Sequence, residues 1–153
     1  LAQAVRETFA HFEDNTAHFY AIKDRMIDGL EQLKDPATGE AWAIVHSMRD
    51  EGSAPHIVSA SFPGVRSEVL LHALEDRQIY VSSGSACSLH DALPISNKKL
   101  PVSTVLKEIH LPQEQLESTL RFSFSRFTTE EEIDYCLDAL RELLPVLRRY
   151  VRH

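Results

Sequence analysis

The most informative segment of the chain is Thr119-Leu120-Arg121-Phe122-Ser123-Phe124, in which apolar and polar side chains alternate. Successive side chains of an extended strand point to opposite faces, so the apolar residues share one face and Arg121 and Ser123 share the other. The segment therefore predicts a β-strand that is buried on one face only.

The elements around this strand are predicted from periodicity and capping signals. Thr128 and Glu131 form a capping-box pattern that opens a helix to about Tyr150. The remaining predicted elements are strands at residues 41–47, 56–62 and 79–81, a turn at 34–39, a helix over 67–76 and a short helix over 104–109. This order predicts an α/β (α+β) fold with a small, mostly antiparallel sheet covered by helices on one face.

Residues 1–33 carry an apolar stripe of helical spacing and predict one long amphipathic helix. At 1.5 Å per residue it would be roughly 50 Å long, more than a small domain needs to cover itself. We therefore expect residues 1–34 to link this domain to one upstream, and residues 35–153 to form the C-terminal small domain. A chain that begins Leu-Ala-Gln looks cut from a longer protein.

Composition excludes several classes of function. The formal net charge of −7 argues against nucleic acid as a direct partner, because phosphate binding relies on clustered Lys and Arg. No apolar span has membrane length. Two cysteines in different contexts form no disulfide framework, so we expect a cytoplasmic protein.

Cys87 lies in a run of small residues, Val-Ser-Ser-Gly-Ser-Ala-Cys-Ser at 81–88, which leaves its sulfur unshielded. This context indicates a reactive thiol on a mobile loop; the alternative is an exposed loop thiol without a role. His90 is expected to be merely solvated. Cys136 lies in a helical apolar pattern and is expected to be a buried structural thiol.

Arg121 is the second candidate residue. A planar, permanently charged guanidinium can hold a carboxylate through two hydrogen bonds, although a surface Arg paired with a neighbouring acid is an equal alternative. Arg126 is expected to be structural, because it lies where the strand turns into the capped helix. His11 and His18 have no acidic or thiol partner in the sequence pattern, so no metal site is expected.

Three segments together resemble the C-terminal part of the cysteine desulfurases, pyridoxal-phosphate enzymes of the class V aminotransferase group. They are Ala-Pro-His-Ile-Val-Ser-Ala-Ser-Phe-Pro-Gly-Val at 54–65, Tyr-Val-Ser-Ser-Gly-Ser-Ala-Cys-Ser at 80–88, and Leu-Arg-Phe-Ser-Phe-Ser-Arg-Phe-Thr-Thr-Glu-Glu-Glu-Ile-Asp at 120–134. Their order and approximate spacing extend the resemblance over nearly the whole chain.

The resemblance implies a fold and a chemistry. The fold would be the small domain of a fold-type I pyridoxal-phosphate enzyme. Cys87 matches the nucleophile that takes sulfur from L-cysteine, leaving L-alanine and a persulfide for iron–sulfur scaffold or tRNA-thiolation partners. Arg121 matches the arginine that binds the substrate carboxylate. The full-length enzyme would be a homodimer.

The chain departs from the family pattern in two places. Lys23, Lys34 and Lys107 match no cofactor motif, so the cofactor residues are expected upstream and this chain alone is predicted to bind no pyridoxal phosphate and to be inactive. Residues 89–95 lengthen the interval between Cys87 and Arg121. This segment is either a natural extension, forming a disordered loop, or an artefact of sequence assembly.

Other functions remain open at this stage. A selenocysteine lyase would use the same chemistry. A persulfide-accepting sulfur carrier would use Cys87 without cofactor chemistry of its own. A non-functional fragment would tend to self-associate through the exposed long helix.

Overall fold

The computed structural model describes residues 2–50, 52–83, 108 and 110–150. Its elements, in chain order, are α1 (Ala2–Ala10), α2 (Phe12–Glu31), β1 (Ile44–Val45), β2 (Ile57–Ser61), α3 (Ser67–Glu75), α4 (Gln113–Glu117), β3 (Thr119–Ser123) and α5 (Glu130–Tyr150). No helix of the described residues is long and apolar enough to cross a membrane.

The three strands form an antiparallel sheet in the order β1-β2-β3. Leu120 and Phe122 of β3 pair with Ala60 and Val58 of β2, and all four side chains are buried. Helix α2 packs on β1 and β2, α3 packs on β3, and α5 packs against both helices. The predicted small antiparallel sheet, covered by helices on one face, is confirmed.

The predicted long helix is divided into two at His11, whose φ of −127° and ψ of 25° leave the helical region. Helix α1 buries no residue, so it lacks the core packing that stabilises most protein helices. By contrast, Ile22, Met26 and Leu30 of α2 lie in the hydrophobic core. The division into a linking helix and a small domain at residue 34 stays a prediction.

The capping box predicted from Thr128 and Glu131 is wrong by one residue. The Thr129 hydroxyl accepts a hydrogen bond from the Glu132 N–H at 3.2 Å, and the Glu132 carboxylate accepts one from the Thr129 N–H at 3.0 Å. The Thr128 hydroxyl is already engaged, because it accepts the Ser125 N–H at 2.9 Å in the preceding turn. The reciprocal pair therefore starts α5 at Glu130.

One further expectation is corrected. Residues 79–81 form no strand; only the next residue, Ser82, pairs with a neighbouring strand, at Arg121. Helix α4, which the sequence pattern did not predict, precedes β3. The predicted turn at 34–39 is confirmed, with Asp35 accepting the N–H groups of Ala37 and Thr38. Nearly all of the helix predicted over 104–109 lies outside the described residues.

Candidate anion-binding site

Arg121 lies at the middle of β3, on the sheet face opposite the helices. Its register partner on β2 is Ser59. On its other side, Ser82 exchanges both backbone hydrogen bonds with it: Arg121 N–H to the Ser82 carbonyl at 2.7 Å, and Ser82 N–H to the Arg121 carbonyl at 3.1 Å. Arg121 therefore has a paired segment of the same chain on each side, and the residue opposite it in each segment is a serine.

The Arg121 guanidinium has no protein partner within residues 2–50, 52–83, 108 and 110–150. The residue is partly buried, and its Nε–H is inaccessible and makes no hydrogen bond. Arg25 and Arg49, in contrast, each bond to two or more carboxylates. Within the described residues, Arg121 is therefore not a surface arginine paired with a neighbouring acid. A partly buried cation without a counter-ion is suited to binding an anion.

A buried hydroxyl network fixes the start of β3, two residues before Arg121. The Ser61 and Thr119 hydroxyls lie 2.7 Å apart, and both donate to the Gln115 carbonyl of α4, at 3.0 and 2.6 Å. The His46 Nε2 lies 2.6 Å from the Ser61 hydroxyl, and burial lowers the pKa of His46. This network was not predicted, because it depends on strand pairing between residues distant in sequence.

Cys87 lies outside the described residues, as do His90, Lys107 and the segment 89–95. Covalent geometry still relates Cys87 to the site. Cys87 follows Ser82 by five positions, and five Cα–Cα steps span at most about 18 Å. Chain length therefore limits the Cα atom of Cys87 to that distance from the Cα atom of Ser82.

Three other residues considered in the sequence analysis, Arg126, His18 and Cys136, contact other parts of the described chain. The Arg126 guanidinium lies 4.7 Å from the centre of the Phe127 ring. The His18 Nε2 lies 2.9 Å from the Thr128 carbonyl. Cys136 is buried as expected, at 6% exposure, and burial raises the pKa of its thiol to about 12. Within the described part of the chain, no cluster of three or more His, Cys, Asp or Glu could hold a metal ion.

The described lysines do not fit the role of a cofactor-binding amine. Lys23 is fully buried, donates to the Ser53 hydroxyl at 2.5 Å and the Ala54 carbonyl at 3.1 Å, and has its pKa lowered by burial. Lys34 is exposed, in the bridge with Ala41 at the base of a turn.

A groove of about 730 Å³ lies beside the site, between residues 77–81, the end of β3 and the start of α5. Tyr80 and Phe127 line it and are 77% and 73% exposed. Arg121 does not line this groove. The anion-binding candidate is thus the polar sheet face, not the groove.

Comparison with known proteins places this geometry in a family. The aminotransferase class-V family matches residues 11–136. The cysteine desulfurase IscS of Vibrio vulnificus is 34% identical over 148 residues, which are 97% of this chain and 32% of that protein. IscS of Pseudoalteromonas translucida is 35% identical with the same coverage. The chain thus spans about a third of the length of these relatives.

Solved structures give the same fold. A NifS-like protein superposes with a TM-score of 0.74 at 24% identity, over 95% of this chain and 32% of that one. This likeness shows the fold alone. It confirms the expected small antiparallel sheet covered by helices.

Proposed function

Because the chain belongs to the aminotransferase class-V family, we propose that it is the C-terminal part of a cysteine desulfurase. The full-length protein would take sulfur from L-cysteine, releasing L-alanine and leaving a persulfide on Cys87. Support comes from the relatives, which are named cysteine desulfurases. The observation that carries the proposal is the guanidinium of Arg121, which has no protein partner within the described residues and whose strand neighbour Ser82 precedes Cys87 by five positions.

Arg121 would bind the carboxylate of the substrate. A carboxylate accepts two parallel hydrogen bonds from a guanidinium, and this pair gains strength where water is partly excluded. β3 holds the Arg121 backbone through its pairing with β2 and with Ser82. The side chain therefore extends from a strand whose backbone is held on both sides, which would fix the position of the bound carboxylate relative to the sheet.

Cys87 would act as the nucleophile. Its thiolate forms a bond with the sulfur of the substrate while the bond between that sulfur and Cβ breaks. The electron pair of the broken bond stays with the carbon, which takes up a proton and becomes the methyl group of alanine. Pyridoxal phosphate, when bound, supplies the electron sink for this carbon chemistry.

The cofactor would be held by the part of the protein outside this chain, as the family resemblance implies. This chain alone is then inactive. The persulfide would pass to iron–sulfur scaffold or tRNA-thiolation proteins, and the full-length enzyme would be a cytoplasmic homodimer. These assignments follow from the family resemblance.

The test is to express the whole reading frame that contains this chain and measure alanine release from L-cysteine. We expect activity in the wild type, none in Cys87→Ala, and a raised KM in Arg121→Lys, whose ammonium cannot form the paired hydrogen bonds. Selenocysteine tried in parallel tests the lyase alternative. Absence of a cofactor lysine from the upstream frame would instead favour a persulfide carrier and contradict the proposal.

A further inference from the structure

Arg121 belongs to a transverse row of side chains on the polar sheet face. Ser59 lies directly opposite it on β2, and Ser82 lies directly opposite it on the other side. Residues directly opposite each other in antiparallel pairs point to the same face, with Cβ atoms about 4.5–5.5 Å apart. The row therefore places one hydroxyl on each side of the guanidinium stem.

The two pairs differ in geometry. Backbone hydrogen bonds join Phe62 to Ser118 at one end of the β2–β3 pair and Phe124 to His56 at the other. Hydrogen-bonded and non-hydrogen-bonded pairs alternate between these ends, and the Ser59–Arg121 pair is a non-hydrogen-bonded one. Side chains approach more closely in such a non-hydrogen-bonded pair. Arg121 and Ser82, in contrast, exchange both backbone bonds. The Arg121 backbone is thereby saturated, and only side chains remain to bind a ligand.

Neither hydroxyl is engaged within the described residues: Ser59 and Ser82 are partly buried, and no side-chain hydrogen bond of either occurs there. Ser61, one row further on the same face, differs in that it is fully buried and bonded to Thr119 and Gln115. Within the described residues, the row of Arg121 thus carries two partly buried hydroxyls that make no side-chain hydrogen bond.

We propose that Ser59 and Ser82 are substrate-binding residues, whose hydroxyls donate hydrogen bonds to the carboxylate that Arg121 holds. This inference rests on the proposed function of Arg121. Two carboxylate oxygens offer about four acceptor positions, and a guanidinium fills only two of them.

The experiment follows the Arg121 side chain by ¹⁵N NMR in the 153-residue chain, titrated with acetate at constant ionic strength. The Nε–H signal, assigned by its loss in Arg121→Lys, should be visible because this group is inaccessible to solvent. It should shift with acetate and saturate. Ser59→Ala and Ser82→Ala should each raise the acetate Kd about fivefold, the effect of one net hydrogen bond.

Two sets of variants control for a structural effect. Ser59→Thr and Ser82→Thr keep the hydroxyl, and Thr suits strands, so the acetate Kd should stay within about twofold of wild type. Ser123→Ala removes an exposed hydroxyl from the same face, one row away, and should leave the Kd unchanged. In the full-length enzyme, Ser59→Ala should raise KM for L-cysteine with little change in kcat.

The outcomes separate the two proposals. If the Arg121 signal shifts with acetate but both alanine variants bind it as the wild type does, the serine assignment is wrong and the role of Arg121 stands. If acetate leaves the wild-type signal unmoved, the role of Arg121 in anion binding fails, and the serine assignment fails with it.

Discussion

Replacing Arg121 by Met should make the chain more stable while removing its capacity to bind a carboxylate. The Arg121 Nε–H is inaccessible and has no acceptor within the described residues, and no carboxylate pairs with the guanidinium there. Met keeps the apolar stem and removes both the charge and the unsatisfied donor. A residue that costs stability where it stands is one retained for binding.

The expected gain in the free energy of unfolding of Arg121→Met follows from the single unsatisfied donor, the Arg121 Nε–H. Leaving a buried hydrogen-bonding group without a partner costs about 1–3 kcal/mol. The terminal Nη groups are not among the inaccessible unpaired atoms, so we expect the lower part of this range, about 1–2 kcal/mol. For a chain of this size, this gain corresponds to a rise in Tm of about 2–4 °C per kcal/mol.

The change in the free energy of unfolding is measured by urea denaturation, with circular dichroism as the signal. The midpoint should rise in Arg121→Met, and the m-value should stay the same because the exposed area on unfolding is unchanged. Arg126→Met is the matched control: that guanidinium lies over the Phe127 ring, so its loss should lower stability by about 0.5–1 kcal/mol. If Arg121→Met lowers the midpoint as well, Arg121 is a structural residue and the reasoning for an anion site is refuted.

Three further predictions concern the helices. Gly29→Ala should destabilise the chain, because a Cβ at Gly29 would lie 2.1 Å from Cδ1 of Leu137. Overpacking costs about 1–3 kcal/mol, whereas the gain in helix propensity is about 1 kcal/mol. Adding Leu137→Ala should lessen the loss of stability measured by urea unfolding, and additive effects of the two substitutions would contradict this explanation. Cys136 should resist a thiol reagent at pH 8 until the chain is unfolded, and rapid labelling of folded Cys136 would refute this. Because the unfolded thiol ionises first, Cys136 contributes a stability that falls as pH rises from 9.0 to about 12. The lowered pKa of Lys23 has the opposite sign, since the unfolded chain binds more protons at Lys23 and its contribution rises with pH up to 10.5. The difference in free energy of unfolding between wild type and Lys23→Met should therefore grow in favour of the wild type as pH rises to 10.5, and a difference that does not depend on pH would refute this.

The strand at 119–124 could be predicted because a half-buried strand has a period of two that sequence displays directly. The first residue of α5 could not be predicted with the same accuracy, because two pairs have capping-box spacing: Thr128 with Glu131, and Thr129 with Glu132. The choice between them depends on the turn before the helix, in which Ser125 donates to the Thr128 hydroxyl. Element boundaries thus depend on contacts that a pattern does not contain.

Arg121 could be proposed as a binding residue from its place on a polar strand face, but its flanking serines could not. Ser59 and Ser82 become its neighbours only through pairing between chain segments about 40 to 60 residues apart, and nothing local in the sequence fixes that register. The division at His11 was missed for a similar reason, because the apolar stripe continues through α1 although α1 buries none of its residues.

The most direct test of the proposed chemistry is the mass of the peptide that contains Cys87 after the full-length protein has reacted with L-cysteine and been trapped with an alkylating reagent. We predict a mass increase of one sulfur atom on Cys87, removed by a reducing agent, with an equal amount of alanine released. Arg121→Lys should form this persulfide more slowly. Alanine release without sulfur on Cys87, or sulfur on Cys136 instead, would contradict the proposed function.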